Sequence, residues 1–345
     1  MSEVELMKSQ PRVWKIIISL AALLAVFVLT GFLTMRFQYA AMDPKDKTAV
    51  DVIVPDKSSA VQVAAFLRDK GLVHSQLAFR IYCSQNHLAS SLKPGHYRFY
   101  RSQSLAEIAA QISQGKVVST TFTVPEGYTV EQIGRLLVDK KLVSAADWQA
   151  ALKSDYAFSF LPPAGGKREQ RLEGFLFPDT YNIEEKTSAR QIIQLMLERF
   201  NSVWSNGMAQ EAQQQKKSPL EVVTVASLIE REAKVAAERE IISGVIKNRL
   251  SIHMALQMCP TVLYALKQEK DILSLADLKI ESPYNTYKYP GLPPGPIACP
   301  GRASLQAALH PQQHSYFYYV SKGDGTHYFS KTFAEHAAAV KKYEK

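Results

Sequence analysis

Residues Ile16 to Met35 read IIISLAALLAVFVLTGFLTM, an apolar run with no charged side chain. A helix rises about 1.5 Å per residue, so the run spans roughly 30 Å, the thickness of a bilayer core. A soluble helix of this length normally keeps one polar face, and this run has none. The pattern predicts a transmembrane helix over 16–35. A cleaved signal has a shorter apolar region, about 7–15 residues, and Tyr39-Ala40-Ala41 is a poor cleavage site. The run is therefore expected to persist as an anchor. Lys8, Arg12 and Lys15 precede it, with Trp14 at the interface, and only Arg36 follows closely. The positive-inside rule then keeps a tail, 1–15, in the cytoplasm and exports the rest.

Beyond the span the periodicity changes to short β runs and helices. Near Val54 the chain reads VPDKSSAVQVAAFLRDKGLV, and near Val124 it reads VPEGYTVEQIGRLLVDKKLV. Each copy predicts a strand, a Ser59 or Thr129 cap, and a helix with apolar spacing of three and four. Between the copies, Pro94-Gly95 predicts a turn and His96 to Tyr100 a strand. Ser104 predicts the start of a helix that Gly115 ends. The pattern Gly95, Tyr97, Ser104, Ile108, Gly115 resembles a LysM-like glycan-binding module, and small α/β packing units share it. The expected division is a LysM-like region over 44–120 and a second strand–helix repeat with connector over 121–160.

The second half mixes the two periods. Residues 162–171 and 206–217 read as polar loops. Phe175 and Phe177 alternate before Pro178-Asp179, which predicts a strand ending in a turn. Ser218-Pro219-Leu220-Glu221 is a strong helix start, with a cap, a proline at the first position and a capping-box glutamate. That helix carries Glu230 and Glu232. Two positions are about 200° of helical rotation, so these carboxylates face opposite sides unless the helix breaks. Glu232 shares its face with Val225, Leu228 and Ile229, the bulkier and more apolar side. Desolvation there would raise its pKa, as a general acid needs. A solvated glutamate paired with Arg231 or Lys234 is the bland alternative. A second helix is predicted over about 236–250, with Ile242, Val245, Ile246, Arg249 and Leu250 on its buried stripe. Tyr284 to Tyr287, beside the stiff proline-rich run 290–301, offers amide, hydroxyl and aromatic faces. Such a loop suits a sugar, and it equally suits bracing a turn. Lys322 to Gly325 predicts a hairpin turn.

Composition narrows the class. The chain has 345 residues, 46% hydrophobic and 21% charged, enough for about two folded domains. That excludes a wholly disordered chain, and three cysteines exclude a disulfide scaffold. The net charge is +9, of which +8 falls on the exported part. Outside a membrane such a charge favours anionic lipid or polymer, and export argues against nucleic acid. The eight histidines form no H-E-x-x-H, and His310 and His314 are expected at the surface, so no metal is expected. Ser90-x-x-Lys93 lacks the partner motifs of the serine enzymes that carry it. No phosphate-binding glycine loop occurs.

The motifs ASLIEREA, AERE, NRL, LQMCPTVLY, SPYNTY, GLPPGPIACPG and AALHP resemble the YceG family of endolytic murein transglycosylases. LEGFLFPDTY and GDGTHYFSKTFAEH fit the same pattern. The resemblance implies an α+β fold: one N-terminal transmembrane helix, a LysM-like α/β subdomain, and a mixed catalytic domain over 170–345. It implies a lyase that needs no cofactor. It would cleave the MurNAc-β-1,4-GlcNAc bond within nascent peptidoglycan and leave 1,6-anhydro-MurNAc ends. The resemblance assigns catalysis to Glu232, the residue chosen by the helical-face argument. Gln257, Tyr284, Asn285 and Thr286 are assigned to glycan positioning, and Glu230 to a structural or helper role. The implied partners are glycan strands, inner-membrane lipid and peptidoglycan synthases. A non-catalytic glycan-binding scaffold and a hydrolytic muramidase are the alternatives. The muramidase would need a second carboxylate, at Asp179 or Glu173. Cys259 and Cys299 depart from the family pattern, and a disulfide between them is conceivable in an oxidising compartment.

Overall fold

The computed structural model describes residues 11–163, 171–268, 270 and 273–343, with side chains from residue 14 onward. Most of the expected 1–15 tail and of the 162–171 loop lies outside the described residues. The chain divides into two compact units, Met1–Thr120 and Thr121–Lys345. Both mix helix and strand.

The first unit begins with α1 (Pro11–Tyr39), longer at both ends than the apolar run. Within Trp14–Tyr39 its most apolar window has a mean hydropathy of 2.8, and no residue of that window is buried. Phe27, for example, is 76% exposed. An apolar helix left bare on all sides is compatible with a membrane anchor. There follow β1 (Ala49–Val54), α2 (Ala60–Asp69), α3 (Gln76–Gln85), β2 (Gly95–Tyr100) and α4 (Leu105–Gln114). β1 and β2 pair antiparallel, Ala49 opposite Tyr100 and Val54 opposite Gly95. Alternation puts Val52, Val54, Tyr97 and Phe99 into the core and leaves Asp51 and Arg98 paired outside at 2.9 Å. Ser59 and Ser104 close reciprocal capping boxes with Gln62 and Glu107. Gly115 ends α4 in the left-handed region, at φ 70°. Leu67, Phe79, Ile108 and Ile112 complete the core. Cys83 lies within it, and burial pushes its thiol up to about 11.

The second unit starts with β3 (Ser119–Thr123), α5 (Val130–Asp139) and α6 (Ala145–Leu152). Thr129 closes a capping box with Gln132, the same start that Ser59 and Gln62 give α2, so the sequence echo is a structural echo. β3 pairs with β4 (Thr180–Glu184). The strand expected around Phe175 is a turn instead. Phe175, Leu176 and Phe177 are all buried, which strict alternation cannot achieve, and the strand begins after Asp179. Next come α7 (Ala189–Trp204) and α8 (Met208–Gln214). The polar stretch 206–217 thus holds a short helix, stabilised because Met208 and Ala212 reach the core. The remaining elements are α9 (Pro219–Glu232), α10 (Arg239–Ser251), α11 (Cys259–Leu266), α12 (Arg302–Leu309), β5 (Tyr318–Ser321), β6 (His327–Ser330) and α13 (Phe333–Tyr343). β5 and β6 form the expected hairpin, Tyr318 opposite Ser330.

α9 runs through the centre of this unit. Val222, Val223, Ala226, Leu228 and Ile229 are all at most 1% exposed. The proline-rich loop packs on it, with the Ile297 amide donating to Ser227 Oγ at 3.1 Å. α10 carries Gly244 in its middle, where a Cβ would stand 2.3 Å from the Gln312 carbonyl. The glycine lets the chain leading to β5 lie directly against α10.

Candidate active site

The start of α9 is built as its sequence predicts. Ser218 Oγ accepts from the Glu221 amide at 3.2 Å, and Glu221 accepts from the Ser218 amide at 3.2 Å. Glu232 is the last helical residue, and Ala233 is extended, at φ −76° and ψ 109°. The helix is unbroken between Glu230 and Glu232, so rotation of about 200° sends them to different neighbours. Glu230 accepts from the Gly301 amide at 2.9 Å, at the start of α12, and lies 3.8 Å from an Arg239 nitrogen. A carboxylate at a helix N-terminus is electrostatically favoured, so this contact explains Glu230 structurally.

Glu232 points elsewhere. Its half-buried carboxyl meets the hydroxyl of Tyr319, from β5, in a hydrogen bond, with the Arg249 guanidinium nearby. Burial pushes its pKa up to about 7, against the smaller opposing pull of Tyr319 and Arg249. The C-terminal end of α9 acts in the same direction, since the helix dipole places partial negative charge there. The result is a carboxyl that holds its proton near neutrality, beside solvent, with no second carboxylate among the groups acting on it.

Arg249 is 7% exposed and is itself a structural bolt. Its Nε donates to the Phe317 carbonyl at 2.6 Å and its Nη1 to the Leu256 carbonyl at 2.5 Å. The guanidinium also lies 5.4 Å from the Tyr318 ring centroid. One position earlier, Asn248 donates to the carbonyls of His314 and Tyr316, both at 2.9 Å. Glu238, just before α10, accepts from His327 twice: from the amide at 2.9 Å and from Nδ1 at 2.7 Å. These contacts hold the β5–β6 hairpin in the register that delivers Tyr319 to Glu232. His314 is half-buried rather than superficial, because Nδ1 accepts from the Tyr316 amide and Nε2 donates to the Ile241 carbonyl. Among the described residues no cluster could hold a metal ion.

The segment expected to position a glycan behaves unevenly. Tyr287 reaches the Glu232 environment and meets Cys259 Sγ at 3.1 Å. Asn285 is fully buried. It donates to the carbonyls of Leu278 and Ile280 at 2.9 and 3.0 Å and accepts from the Tyr287 amide at 3.0 Å. Thr286 is 1% exposed; its Oγ1 accepts from the Met258 amide at 3.0 Å and bonds the Thr261 hydroxyl. Asn285 braces the loop on itself and Thr286 braces it against the start of α11, the bland reading of SPYNTY. Tyr284 packs its ring 4.8 Å from that of Tyr264. Gln257 is exposed, at φ 47°, its amide donating to the Thr286 carbonyl at 3.0 Å. Sequence reasoning puts Arg249 on a buried stripe, counts Tyr287 only as one face of the 284–287 segment, and passes over Tyr319. An arginine on such a stripe is the signal that could have found it, because a buried guanidinium needs partners.

The two alternative carboxylates have their own partners. Glu173 is 6% exposed and accepts from the Val130 amide at 3.1 Å and the Tyr264 hydroxyl at 3.2 Å. Asp179 pairs with Arg199 at 2.6 Å. None of the three cysteines is in a disulfide; Cys259 is exposed beside Tyr287 and Cys299 is fully buried, so the conceivable Cys259–Cys299 bond is absent.

A half-buried acid, lifted toward neutrality and held by a phenol and a guanidinium, defines a candidate acid–base enzyme on an α+β scaffold. The chain belongs to the YceG-like family, whose model matches residues 52–342. An endolytic murein transglycosylase of Bacillus subtilis is 35% identical over 325 residues, covering 91% of this chain and 90% of that protein. One of Streptococcus pneumoniae serotype 2 is 30% identical over 351 residues. It covers 93% of this chain, which spans 63% of the longer pneumococcal protein. The crystal structure of a YceG-like protein from Listeria monocytogenes superposes with a TM-score of 0.59. It is 33% identical and covers 85% of this chain and 99% of its own.

Proposed function

We propose that this protein is a lytic transglycosylase that cuts peptidoglycan strands internally, with Glu232 as its single acid and base. The observation that carries the reading is the placement of Glu232, half-buried at the end of α9 between Tyr319 and Arg249, where burial pushes its carboxyl up to about 7. In the proposed reaction the neutral Glu232 gives its proton to O4 of the leaving GlcNAc as the MurNAc C1–O4 bond breaks. The MurNAc acetamido oxygen stabilises the positive charge at C1. The Glu232 carboxylate then removes the C6 hydroxyl proton as O6 attacks C1. One proton leaves and one returns, so the enzyme is regenerated and the product carries a 1,6-anhydro bridge. A hydrolytic muramidase would need a base for water, whereas Glu173 and Asp179 are engaged elsewhere.

The remaining assignments fit this reading. α1 would anchor the protein in the inner membrane with residues 1–15 cytoplasmic, 44–120 acting as a LysM-like glycan contact and 121–345 outside. Gln257 and Tyr284 are candidates for direct glycan contact. Asn285 and Thr286 would act by shaping the loop, and Glu230 by holding α12. Nascent glycan strands are the substrate, and neighbouring peptidoglycan synthases the expected company.

The test is digestion of purified peptidoglycan by the detergent-solubilised chain, followed by mass spectrometry. Anhydro ends support the proposal, reducing ends favour a muramidase, and intact strands favour a scaffold. Glu232→Gln should lower the rate by about 10²–10⁴-fold, the range of general acid–base catalysis. Full activity of that variant would refute Glu232 as the acid.

A further inference from the structure

Tyr319 is bound into the protein from several sides. Its ring meets that of His327 edge-on at 5.3 Å and lies 6.0 Å from that of Phe329. The segment leading into β5 is tied to α10 through Arg249 and Asn248, and β6 is tied to Glu238 through His327. The hydroxyl of the side chain so packed meets the Glu232 carboxyl in a hydrogen bond. The rest of the ring of groups facing that carboxyl is Arg249 from α10 and Tyr287 from the 282–289 loop, with Cys259 behind Tyr287. Arg249 is tied to the Phe317 and Leu256 carbonyls. On the acid's own helix, Arg231 turns to the Gly127 carbonyl at 3.2 Å.

We propose that Tyr319 is a positioning residue for the Glu232 acid, its phenol holding one carboxyl oxygen so that the other is presented to the glycosidic oxygen. The assignment rests on the reading of Glu232 as the acid. A carboxyl at the frayed end of a helix rotates freely about its last torsions unless something fixes it, and productive proton transfer needs heavy atoms about 2.6–3.2 Å apart. Tyr319 supplies that restraint without competing as an acid, because burial and the facing Glu232 keep its own proton firmly bound. It also serves both halves of the cycle. It donates to the carbonyl oxygen of the neutral acid, and to the same oxygen of the carboxylate that forms once the proton has left.

The experiment uses the full-length chain in detergent, assayed for release of anhydro-ended fragments between pH 5 and pH 9. In Tyr319→Phe the ring remains and only the donor is lost. The expected result is a fall in kcat of about 10- to 100-fold with KM nearly unchanged. The alkaline limb of the rate profile should move up by about one pH unit, since the carboxylate loses a donor. A second variant carries 3-fluorotyrosine at position 319. Its more acidic phenol donates more strongly and should move the limb downward. Opposite shifts establish the role. A limb that stays in place in both, whatever the rate, overturns it and leaves Tyr319 as packing. Glu232→Gln, run in parallel, keeps the two readings apart: an active Glu232→Gln defeats the acid, whereas an inactive one beside unshifted Tyr319 profiles defeats only this inference.

Discussion

Glu173 is sealed among α5, α11 and the loop before β4, and burial lifts its pKa from 4.5 to about 7. The sign of the consequence follows from proton counting. Between those two values the folded chain holds a proton that the unfolded chain has released, so stability falls as pH rises through the window and stays low above it. Glu173→Gln removes the ionisation and keeps one acceptor, for the Val130 amide, while its new NH2 group donates to the Tyr264 oxygen in place of accepting from it. Relative to the parent it should gain about 1–3 kcal/mol on going from pH 5 to pH 8, measured by thermal or urea unfolding. A difference between the two proteins that does not change with pH would rule this out. Glu232 and Glu173 also show what the sequence could reveal of single residues. Glu232 was legible because one helical face is more apolar than the other and because its motif is distinctive. Asn285 and Thr286 were misleading because the groups that suit a sugar hydroxyl suit a backbone amide equally well. Only the burial of both side chains separates the two uses.

At the level of elements, the caps, the α9 start, the α4 stop and the β5–β6 turn were all written locally, in residues three or four apart. What could not be foreseen is the docking of the hairpin on α10, since its contacts join positions far apart in sequence: Asn248 with His314, Arg249 with Phe317, Glu238 with His327. The docking makes a prediction of its own. Glu238→Ala removes two hydrogen bonds to His327 and should cost about 1–3 kcal/mol. The loosening should be confined to the hairpin and visible as faster amide exchange over 316–330. Transglycosylase activity should drop with it. Unchanged exchange there, with or without a change in melting temperature, would show that Glu238 does not hold the hairpin.

The whole molecule has two separate hydrophobic cores, one around Phe79, Tyr97 and Ile108 and the other around Phe175, Phe200 and Leu228. All the groups that face Glu232 belong to the second unit. A fragment beginning at Ser119, the first residue of β3, should therefore fold alone with a single cooperative melt and retain the acid near neutrality. A fragment that stays unfolded by circular dichroism would show that the cores depend on each other. The order in which the site is completed has a temporal side. At about 5–20 residues per second, a ribosome makes Glu232 several seconds before it makes Tyr319. On the proposed topology, with α1 holding the chain in the bilayer during synthesis, the acid would leave the cytoplasm before the phenol arrived to aim it. The cutting site would thus be complete only when translation has nearly finished.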